Sequence, residues 1–254
     1  MMSSKIAILG SGLSGLMAAK GLVDAGIKKN KIDILSDNIE KPEPKGFMML
    51  HDNCNMDLQK NYFKVHQIGS EREYKKKLNY TGDISASWKT GLDNYWMVGY
   101  NPYHAISMLY TKFRSNMNKF KVRPEDLKIL KSQYKTIIST IPPNNLYPGV
   151  KLFNTTIWVK FGKIKQVYSP QVIYNGLSDN WMTRSSQLWG FRSLEYCKKA
   201  PETTKVVKPI KAKGMPDDNI IKTGRVGQWN KNILAHQVYY KIYGMTKRSS
   251  TIIS

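Results

Sequence analysis

Short apolar runs alternate with polar, glycine-containing segments along the first part of the chain. Residues 6–9 are an apolar run of strand length, residues 32–35 are typical of a second short strand, and apolar positions between them recur at helical spacing up to Gly26. A third strand-like run, residues 134–141, is stopped by two prolines. Strand, helix and strand in this order predict a βαβ unit in an α/β fold with a parallel sheet.

The rest of the chain predicts shorter elements and a second, antiparallel sheet. Residues 102–120 have helical spacing after an Asn-Pro start, and residues 151–189 are typical of antiparallel strands. We also expect a short buried strand over 46–51 and strand-like spacing over 61–88, with a solvated lysine run at 75–77. Within the antiparallel region we expect strands at 156–161, 164–168 and 171–174 and turns at 161–163 and 175–176. The chain should end with a connector over 198–219, a helix over 233–243 and a frayed end over the last ten residues.

A glycine motif follows the first predicted strand at once. It comprises Gly10, Ser11, Gly12, Leu13, Ser14 and Gly15. The first glycine permits a tight turn, the second lets the backbone approach a pyrophosphate, and the third lets the next helix pack close to the sheet. The N-terminus of that helix presents N–H groups and the positive end of its dipole to phosphates. This context favours a bound adenine dinucleotide over a glycine-rich turn in another kind of α/β protein.

The second predicted strand ends at Ser36 and Asp37, where a dinucleotide site uses an acidic residue to bind the ribose hydroxyls. The offset from Gly10 is a few residues longer than the usual value of about 20. Either Asp37 supplies the carboxylate one residue late, or Ser36 holds that position with a hydroxyl. We expect both residues to lie at the ribose.

Composition narrows the class of protein. The chain has 254 residues, 41% of them hydrophobic, which is enough for one large domain or two interleaved ones. It contains no apolar run of the ~18–20 residues that a membrane span needs, so no membrane partner is expected. Two cysteines without a CxxC motif predict neither a disulfide framework nor a structural metal. We therefore expect a reducing, cytoplasmic protein of unknown oligomeric state.

The charge is unusual, because 40 basic residues face 18 acidic ones and the formal net charge is +22. Such an excess attracts polyanions and speeds their capture, so it favours nucleic acid or a phosphate-bearing small molecule as a partner. The lysines are also scattered among asparagine and isoleucine, a composition that an AT-rich genome produces without selection for nucleic acid. Both interpretations of the charge stay open.

Residues 10–15, 137–142 and 224–229 form three blocks in the order of the chain. They are the glycine motif, a strand of the pattern VIxTxP and a GRxGx-aromatic segment before a helix. In this order they resemble the FAD-binding glutathione-reductase-like superfamily, near its UDP-galactopyranose mutase and amine-oxidase branch. A plain nicotinamide-binding Rossmann domain has no use for the third block, and no second GxGxxG motif is present.

The resemblance implies a Rossmann-like FAD-binding domain with a smaller α+β cap that contains an antiparallel sheet. The expected boundaries are 1–50, 128–145 and 213–246 for the FAD-binding domain, 51–127 and 146–212 for the cap, and 247–254 for a frayed tail. The implied cofactor is FAD. Its expected binding residues are Gly10, Ser11, Gly12, Leu13, Ser14, Gly15, Ser36, Asp37, Leu50, Thr140, Gly224, Arg225, Val226, Gly227, Gln228 and Trp229.

Shorter blocks are similar to those of bacteriophage proteins that bind FAD or NAD(P). These blocks are residues 49–51, 172–176 with 181–186, and 224–239. The chain is far shorter than a UDP-galactopyranose mutase, so the lid over the substrate is expected to be cut down. Mutase activity itself is therefore not expected.

Two groups of polar residues are candidates for chemistry. His51 ends a strand expected to lie along the flavin, where it hydrogen-bonds the isoalloxazine, acts as a general base or only caps the strand. Tyr174 and Arg184 are the other catalytic candidates, with Asn175 and Trp181 as substrate contacts in the antiparallel roof. There an arginine can clamp a phosphate and a tryptophan can stack on a base. The alternative is a packed hairpin whose arginine is solvated.

The function that the sequence favours is a flavin-dependent, oxidoreductase-like enzyme. Its expected substrate bears a phosphate and is a nucleotide or a nucleic-acid base. The alternatives are a non-catalytic, basic nucleic-acid-binding protein on a flavoprotein-like fold and an NAD(P)-dependent oxidoreductase. No GxxxxGK[ST] or HExxH motif is present, so an NTPase and a zinc protease are not expected.

Overall fold

The computed structural model describes residues 5–43, 50–51, 56–80, 84, 88–165, 169–230 and 232–248. Within these ranges the strands are β1 (Ile6–Leu9), β2 (Ile32–Ser36), β3 (Leu50–His51), β4 (Lys60–Gly69), β5 (Asn94–Tyr100), β6 (Met117–Lys119), β7 (Thr136–Ser139), β8 (Lys151–Lys163), β9 (Gln171–Gly176), β10 (Met182–Leu188), β11 (Phe191–Tyr196), β12 (Thr204–Lys213) and β13 (Ile220–Lys222). The helices are α1 (Leu13–Asp24), α2 (Glu71–Lys77), α3 (Pro102–Phe113), α4 (Leu127–Gln133), α5 (Gly224–Gly227) and α6 (Ala235–Arg248).

The first layer is a parallel sheet of five strands in the order β13-β7-β1-β2-β6. Helix α1 packs against α3 and α6 on this sheet, and all three helices contribute to one apolar core. The four residues of β1 are all buried, as expected for a central strand covered on both faces. The predicted βαβ start of the chain is therefore confirmed.

The second layer is an eight-stranded sheet in the order β12-β8-β11-β10-β9-β4-β5-β3. Its pairs are antiparallel except for β4 and β9, which run parallel. Side chains alternate across the strands, so the sheet has two faces of different character. The inner face carries buried residues such as Phe63, Val65 and Tyr174 and packs against α2. The open face carries the exposed residues between them, such as Tyr62.

The predicted fold class is confirmed, because a parallel Rossmann-like sheet is joined to a largely antiparallel one. The domain boundaries stay a prediction. Helix α3 and strand β6 lie inside the range expected for the cap, yet α3 packs on α1 and β6 pairs with β2 in the parallel sheet. No helix in the described part of the chain is long and apolar enough to span a membrane.

The strand-like interpretation of residues 61–88 is wrong for 71–77, which form α2. Ser70 caps this helix by accepting a hydrogen bond from the Glu73 backbone N–H. The apolar residues Tyr74 and Leu78 are four positions apart, so they lie on one helix face and both are buried. Nor is the lysine run wholly solvated, because the Lys77 Nζ donates to the Asn175 and Met182 carbonyls at 3.0 and 3.2 Å.

The helix expected over 102–120 ends earlier, at Phe113. A 3-10 turn at Arg114–Asn116 follows, and Met117 begins β6. The buried Asn116 side chain donates to the Lys29 and Ile32 carbonyls at 2.8 and 2.9 Å. These two bonds hold the turn against β2, so the chain leaves the helix and joins the parallel sheet.

Both turns expected in the antiparallel region are displaced. Strand β8 runs through residues 161–163 without a turn. Asn175 and Gly176 are the last residues of β9, and the turn lies at 178–179. The strands expected at 156–161 and 171–174 are confirmed as parts of β8 and β9, whereas the 164–168 expectation lies partly outside the described residues.

The connector expected over 198–219 is wrong, because residues 204–213 form β12, an edge strand paired with β8. Pro209 lies at a shift in the register of this pair, and prolines are tolerated at bulges and edges of sheets. The C-terminal helix extends past the expected 243 to Arg248. Residues 249–254 of the expected frayed end, and 46–49 of the expected buried strand, lie outside the described residues.

Candidate functional site

The glycine motif forms a tight passage from β1 into α1. Gly10 has a φ of +103°, and a Cβ built on Gly15 would lie 1.9 Å from the Gly10 carbonyl oxygen. Gly12 is the N-cap of α1, where no side chain caps the helix, and the first turn holds no acidic residue. The N-terminal N–H groups of α1 therefore have no capping side chain, as a pyrophosphate site requires.

The C-terminal block packs directly on this passage. A Cβ on Gly224 would lie 2.6 Å from the Ser14 Oγ, and a Cβ on Gly227 would lie 2.5 Å from the Ser139 carbonyl oxygen. Thr140 closes the group, since its Oγ1 donates to the Leu9 carbonyl at 2.8 Å. The three blocks that the sequence singled out thus meet in one place, which we call the nucleotide cradle: residues 10–15, 139–140 and 224–227.

Three other residues of the third block are less buried than its two glycines. Val226 is exposed, Gln228 is half-buried, and Trp229 adopts a φ of +48°. The Trp229 Nε1 donates to the Phe153 carbonyl of β8 at 2.9 Å. This contact joins the end of α5 to the eight-stranded sheet.

The expected ribose position is occupied by hydroxyl groups. The Ser11 Oγ donates to the Asn38 carbonyl at 2.6 Å and lies 3.0 Å from the Ser36 Oγ. Ser36 is buried at the end of β2, whereas Asp37 is exposed and accepts a hydrogen bond from the Asn38 backbone N–H. A carboxylate is therefore present one residue after the strand, on the solvent side.

Two histidines meet beside α6. The ring of His51, at the end of β3, lies 4.5 Å from the ring of His236, and the preceding Leu50 is wholly buried. Burial, and secondarily the nearby His51, lower the pKa of His236 to about 4. His236 is therefore neutral at pH 7. The catalytic role of His51 stays a prediction.

A basic cluster lies on the inner face of the eight-stranded sheet. Its members are Arg184 on β10, Glu195 on β11, Lys208 on β12 and Arg225 on α5. The Arg184 guanidinium forms an ion pair with Glu195, and the Lys208 Nζ lies 2.9 Å from the other carboxylate oxygen. The Arg184 Cζ also lies 5.8 Å from the Tyr174 ring centroid. Arg184 is thus largely buried and paired, not the solvated arginine of a simple hairpin.

The ionisation of this cluster follows from burial and mutual charge. Burial alone would raise the pKa of Glu195, but Arg184 and Lys208 outweigh it and lower that pKa to about 2. Burial lowers the pKa of Lys208 to about 8 despite the attraction of Glu195. Burial, followed by repulsion from Arg184, lowers the pKa of Arg225. Arg184 and Lys208 therefore pair with Glu195, and Arg225 adds a third positive charge beside them.

Arg225 connects this cluster to the nucleotide cradle. It lies between Gly224 and Gly227, which pack on the cradle, and its charge acts on both Arg184 and Lys208. Its guanidinium forms no hydrogen bond or ion pair with another group in the part of the chain that the structure describes. A half-buried guanidinium without a carboxylate partner is a strong candidate for binding an anion.

The other expected substrate contacts do not join Arg184. Asn175 follows Tyr174 on β9, so its side chain lies on the opposite face, where it is fully buried. Its Oδ1 accepts a hydrogen bond from the Leu177 backbone N–H at 2.9 Å. Trp181 is 56% exposed, with the Lys198 Nζ 4.6 Å from its ring. Only Tyr174 and Arg184 of the expected group are brought together.

The sequence reasoning missed an aromatic pocket and two members of the basic cluster. The Tyr103 and Phe191 rings stack at 4.2 Å, and Phe161 stacks on Phe191 at 5.2 Å. Ser186 and Ser193 complete a small pocket beneath these rings. These serines are two residues from Arg184 and Glu195 on the same strands, so pocket and cluster share the inner face. An acidic residue inside the strand-like run 191–196 was the one available signal for Glu195.

The chain resembles known proteins in its three-dimensional structure but not in its sequence. No protein-family model matches the sequence, and no curated protein matches it. Among solved structures, BrvH, a flavin-dependent halogenase from Brevundimonas sp. BAL3, matches with a TM-score of 0.54 and 9% identity over 96% of this chain and 70% of that one. The chain shares the fold of FAD-dependent enzymes.

Two further matches support this fold assignment. The tetrameric 2-methyl-3-hydroxypyridine-5-carboxylic acid oxygenase gives a TM-score of 0.55 at 9% identity, over 98% of this chain and 83% of the oxygenase. A reduced UDP-galactopyranose mutase gives 0.51 at 11% identity, over 98% and 97%. The three enzymes catalyse different reactions, so the fold does not specify the substrate. Within the described residues, no cluster of three or more metal-ligating side chains occurs.

Proposed function

We propose that the protein is a flavin-dependent, oxidoreductase-like enzyme that binds FAD in the nucleotide cradle and acts on a substrate with an anionic group. The observation that carries the second half is the basic cluster, in which Arg184 and Lys208 pair with Glu195 and Arg225 adds a third positive charge. The fold of the flavin-dependent structural neighbours supports the first half.

The residues of the cradle fit the FAD pyrophosphate. The backbone N–H groups at the start of α1 would bind its oxygens, and the close packing at Gly15, Gly224 and Gly227 holds those groups in position. The Ser11 and Ser36 hydroxyls, which lie 3.0 Å apart, and the exposed Asp37 carboxylate would bind the ribose. FAD supplies the redox or nucleophilic chemistry when bound.

The inner face would then bind and orient the substrate. Arg225 and Arg184 would hold its anionic group, which we take to be a phosphate, as in a nucleotide or a nucleic-acid base within a strand. The stacked rings of Tyr103, Phe161 and Phe191 would exclude water beside it. Tyr174, next to Arg184, would donate a hydrogen bond to the substrate, and we retain it and His51 as candidate catalytic residues.

The cofactor assignment is tested by the ligand that purified protein releases on heating. We expect FAD by mass spectrometry and flavin absorption bands in the native preparation. Recovery of NAD(P) alone, or no nucleotide after reconstitution with FAD, would contradict the assignment and leave a non-catalytic binding protein or a nicotinamide-dependent enzyme.

The substrate class is tested by titrating the holoenzyme with nucleotides while recording flavin absorbance and fluorescence. Arg225→Ala should weaken nucleotide binding, measured from this flavin response, by about 1–3 kcal/mol, because a charge-assisted contact is lost. Lys128→Ala, an exposed lysine on α4, is the charge-matched control. A flavin response to neutral compounds but not to nucleotides would refute the anionic substrate.

A further inference from the structure

The open face of the eight-stranded sheet carries aromatic and basic side chains that are not part of the proposed enzyme site. Alternation along the strands fixes which residues it carries, and the register joins them across six neighbouring strands from β8 to β5. In this register Lys160 leads across β11, β10 and β9 to His66 on β4. The open face is therefore continuous from Lys160 to His66, whereas Asn175 at the end of β9 is buried.

Large aromatic side chains project from both ends of this surface. Tyr62 on β4 and Trp96 on β5 are 66% and 67% exposed. The partner of Trp96 is Lys64, two residues from Tyr62, so the two rings are diagonal neighbours within reach of one another. At the other end, Trp158 on β8 pairs with Tyr196 on β11, and both are partly exposed.

Cationic groups lie between the aromatic ends, and carboxylates are absent from the strands at these positions. The lysines, arginine and histidine of the open face are Lys60, Lys64, His66, Lys160 and Arg192, and Lys205 continues them on β12 beside Trp158. The described strand residues that point to this face include no aspartate or glutamate. Glu202, in the loop before β12, reaches Lys160 from the edge and is itself 74% exposed.

We propose that the open face binds single-stranded nucleic acid, with bases stacked on Tyr62 and Trp96 and phosphates against the lysines. Exposed rings on a sheet flanked by cations are the physical requirements for sequence-tolerant binding of unpaired bases. A duplex hides its base faces and could not use the rings. A second copy of the chain would bring the same positive surface against itself, which charge repulsion opposes.

The size of the surface fits a short strand. Five inter-strand steps of about 4.8 Å separate Trp158 from Trp96, giving a span of about 24 Å. This span suits roughly four nucleotides or more, the lower end of site sizes on single-strand-binding sheets. The inference is independent of FAD, because no residue of the open face lies in the nucleotide cradle or in the basic cluster.

The test measures binding of a fluorescein-labelled oligothymidine of about 20 nucleotides by anisotropy. We expect the double variant Tyr62→Ala/Trp96→Ala to bind at least about tenfold more weakly than the wild type. Tyr240→Ala, an exposed aromatic on α6, is the matched control and should leave affinity unchanged. Lys64→Ala should reduce the slope of log affinity against log salt by about 0.7, whereas Lys128→Ala should not.

Two outcomes would overturn the proposal. The first is an unchanged affinity of the double variant together with the same salt dependence for Lys64→Ala and Lys128→Ala. Binding would then reflect only the overall positive charge of the chain. The second is a wild-type dimer that Tyr62→Ala/Trp96→Ala converts to monomer in sedimentation, which would make the face an interface between two copies. Ultraviolet crosslinking of oligothymidine to the wild type, mapped to β4 and β5, checks the site without any substitution. Binding should also persist in a variant that has lost FAD, so failure of the cofactor assignment is distinguishable.

Discussion

Replacing Glu195 by Gln tests the electrostatics of the basic cluster most directly. The substitution keeps the size of the side chain and one acceptor oxygen, but it removes the carboxylate that pairs with both Arg184 and Lys208. Because Glu195 is 4% exposed, solvent screens the loss little. Two largely buried cations would then lie side by side without the charge of Glu195, and removing one partner of such an ion pair is costly.

The magnitude follows from the pKa. The pKa of Glu195 is lowered from 4.5 to about 2, and about 2.5 units at about 1.4 kcal/mol each amount to roughly 3 kcal/mol. The unfolded state binds the proton more tightly, so this stabilisation is complete above pH 4.5 and is lost as the pH falls towards 2. The destabilisation by Glu195→Gln should therefore be about 3 kcal/mol at pH 7 and shrink by about 2 kcal/mol at pH 3.

Urea denaturation at the two pH values measures both quantities. Glu202→Gln is the matched control, since Glu202 pairs with Lys160 in full contact with solvent, and it should leave the midpoint unchanged at pH 7. Inorganic phosphate should stabilise Glu195→Gln more than the wild type, because the anion no longer competes with the carboxylate. A destabilisation that is equal at both pH values, or absent, would refute the electrostatic account of the cluster.

Two more predictions concern the cradle and the histidine pair. Gly12→Leu should abolish FAD binding yet change the unfolding free energy by less than about 0.5 kcal/mol, because the φ of Gly12 is −67° and no protein atom lies within 4 Å of the added Cβ. Gly15→Ala should destabilise the apoprotein, because its Cβ would meet the Gly10 carbonyl oxygen. Equal losses of stability in the two variants would contradict this geometry. Since the pKa of His236 is lowered from 6.5 to about 4, the unfolded state takes up its proton first on acidification. Stability should fall by on the order of 2–3 kcal/mol between those values, and a pH series of denaturation curves should show no such loss in His236→Leu.

The parts of the fold that the sequence predicted are those whose signals are local. The turn, helix N-terminus and close packing of the glycine motif are all requirements on adjacent residues, and the structure realises them at Gly10, Gly12 and Gly15. The third block could be predicted for a similar reason, because Gly224 and Gly227 have no room for side chains against the cradle. Such constraints are visible in a single sequence.

The parts that failed depend on contacts between distant segments. Residues 204–213 read as a connector because five of the ten are lysine or proline, and they form a strand only because β8 offers a free edge. Lys208 pairs with Thr155 in this strand, and from there its long side chain reaches Glu195, a contact that no local signal predicts. Helix α2 was missed because its buried positions, Tyr74 and Leu78, also suit a strand-like spacing when the α2–β9 contact is unknown.

The position of Arg184 shows why the functional face itself could not be predicted. Strict alternation from the Met182–Tyr196 pair would set Arg184 opposite Leu194, on the open face. A bulge between Met182 and Arg184 adds one residue to β10, so that Arg184 lies opposite Glu195 instead. The extra residue, Thr183, is fully buried and donates its hydroxyl to the Glu195 carbonyl at 3.1 Å. One inserted residue thus moves a guanidinium from the solvent side to the proposed substrate side, and nothing in the local sequence marks the insertion.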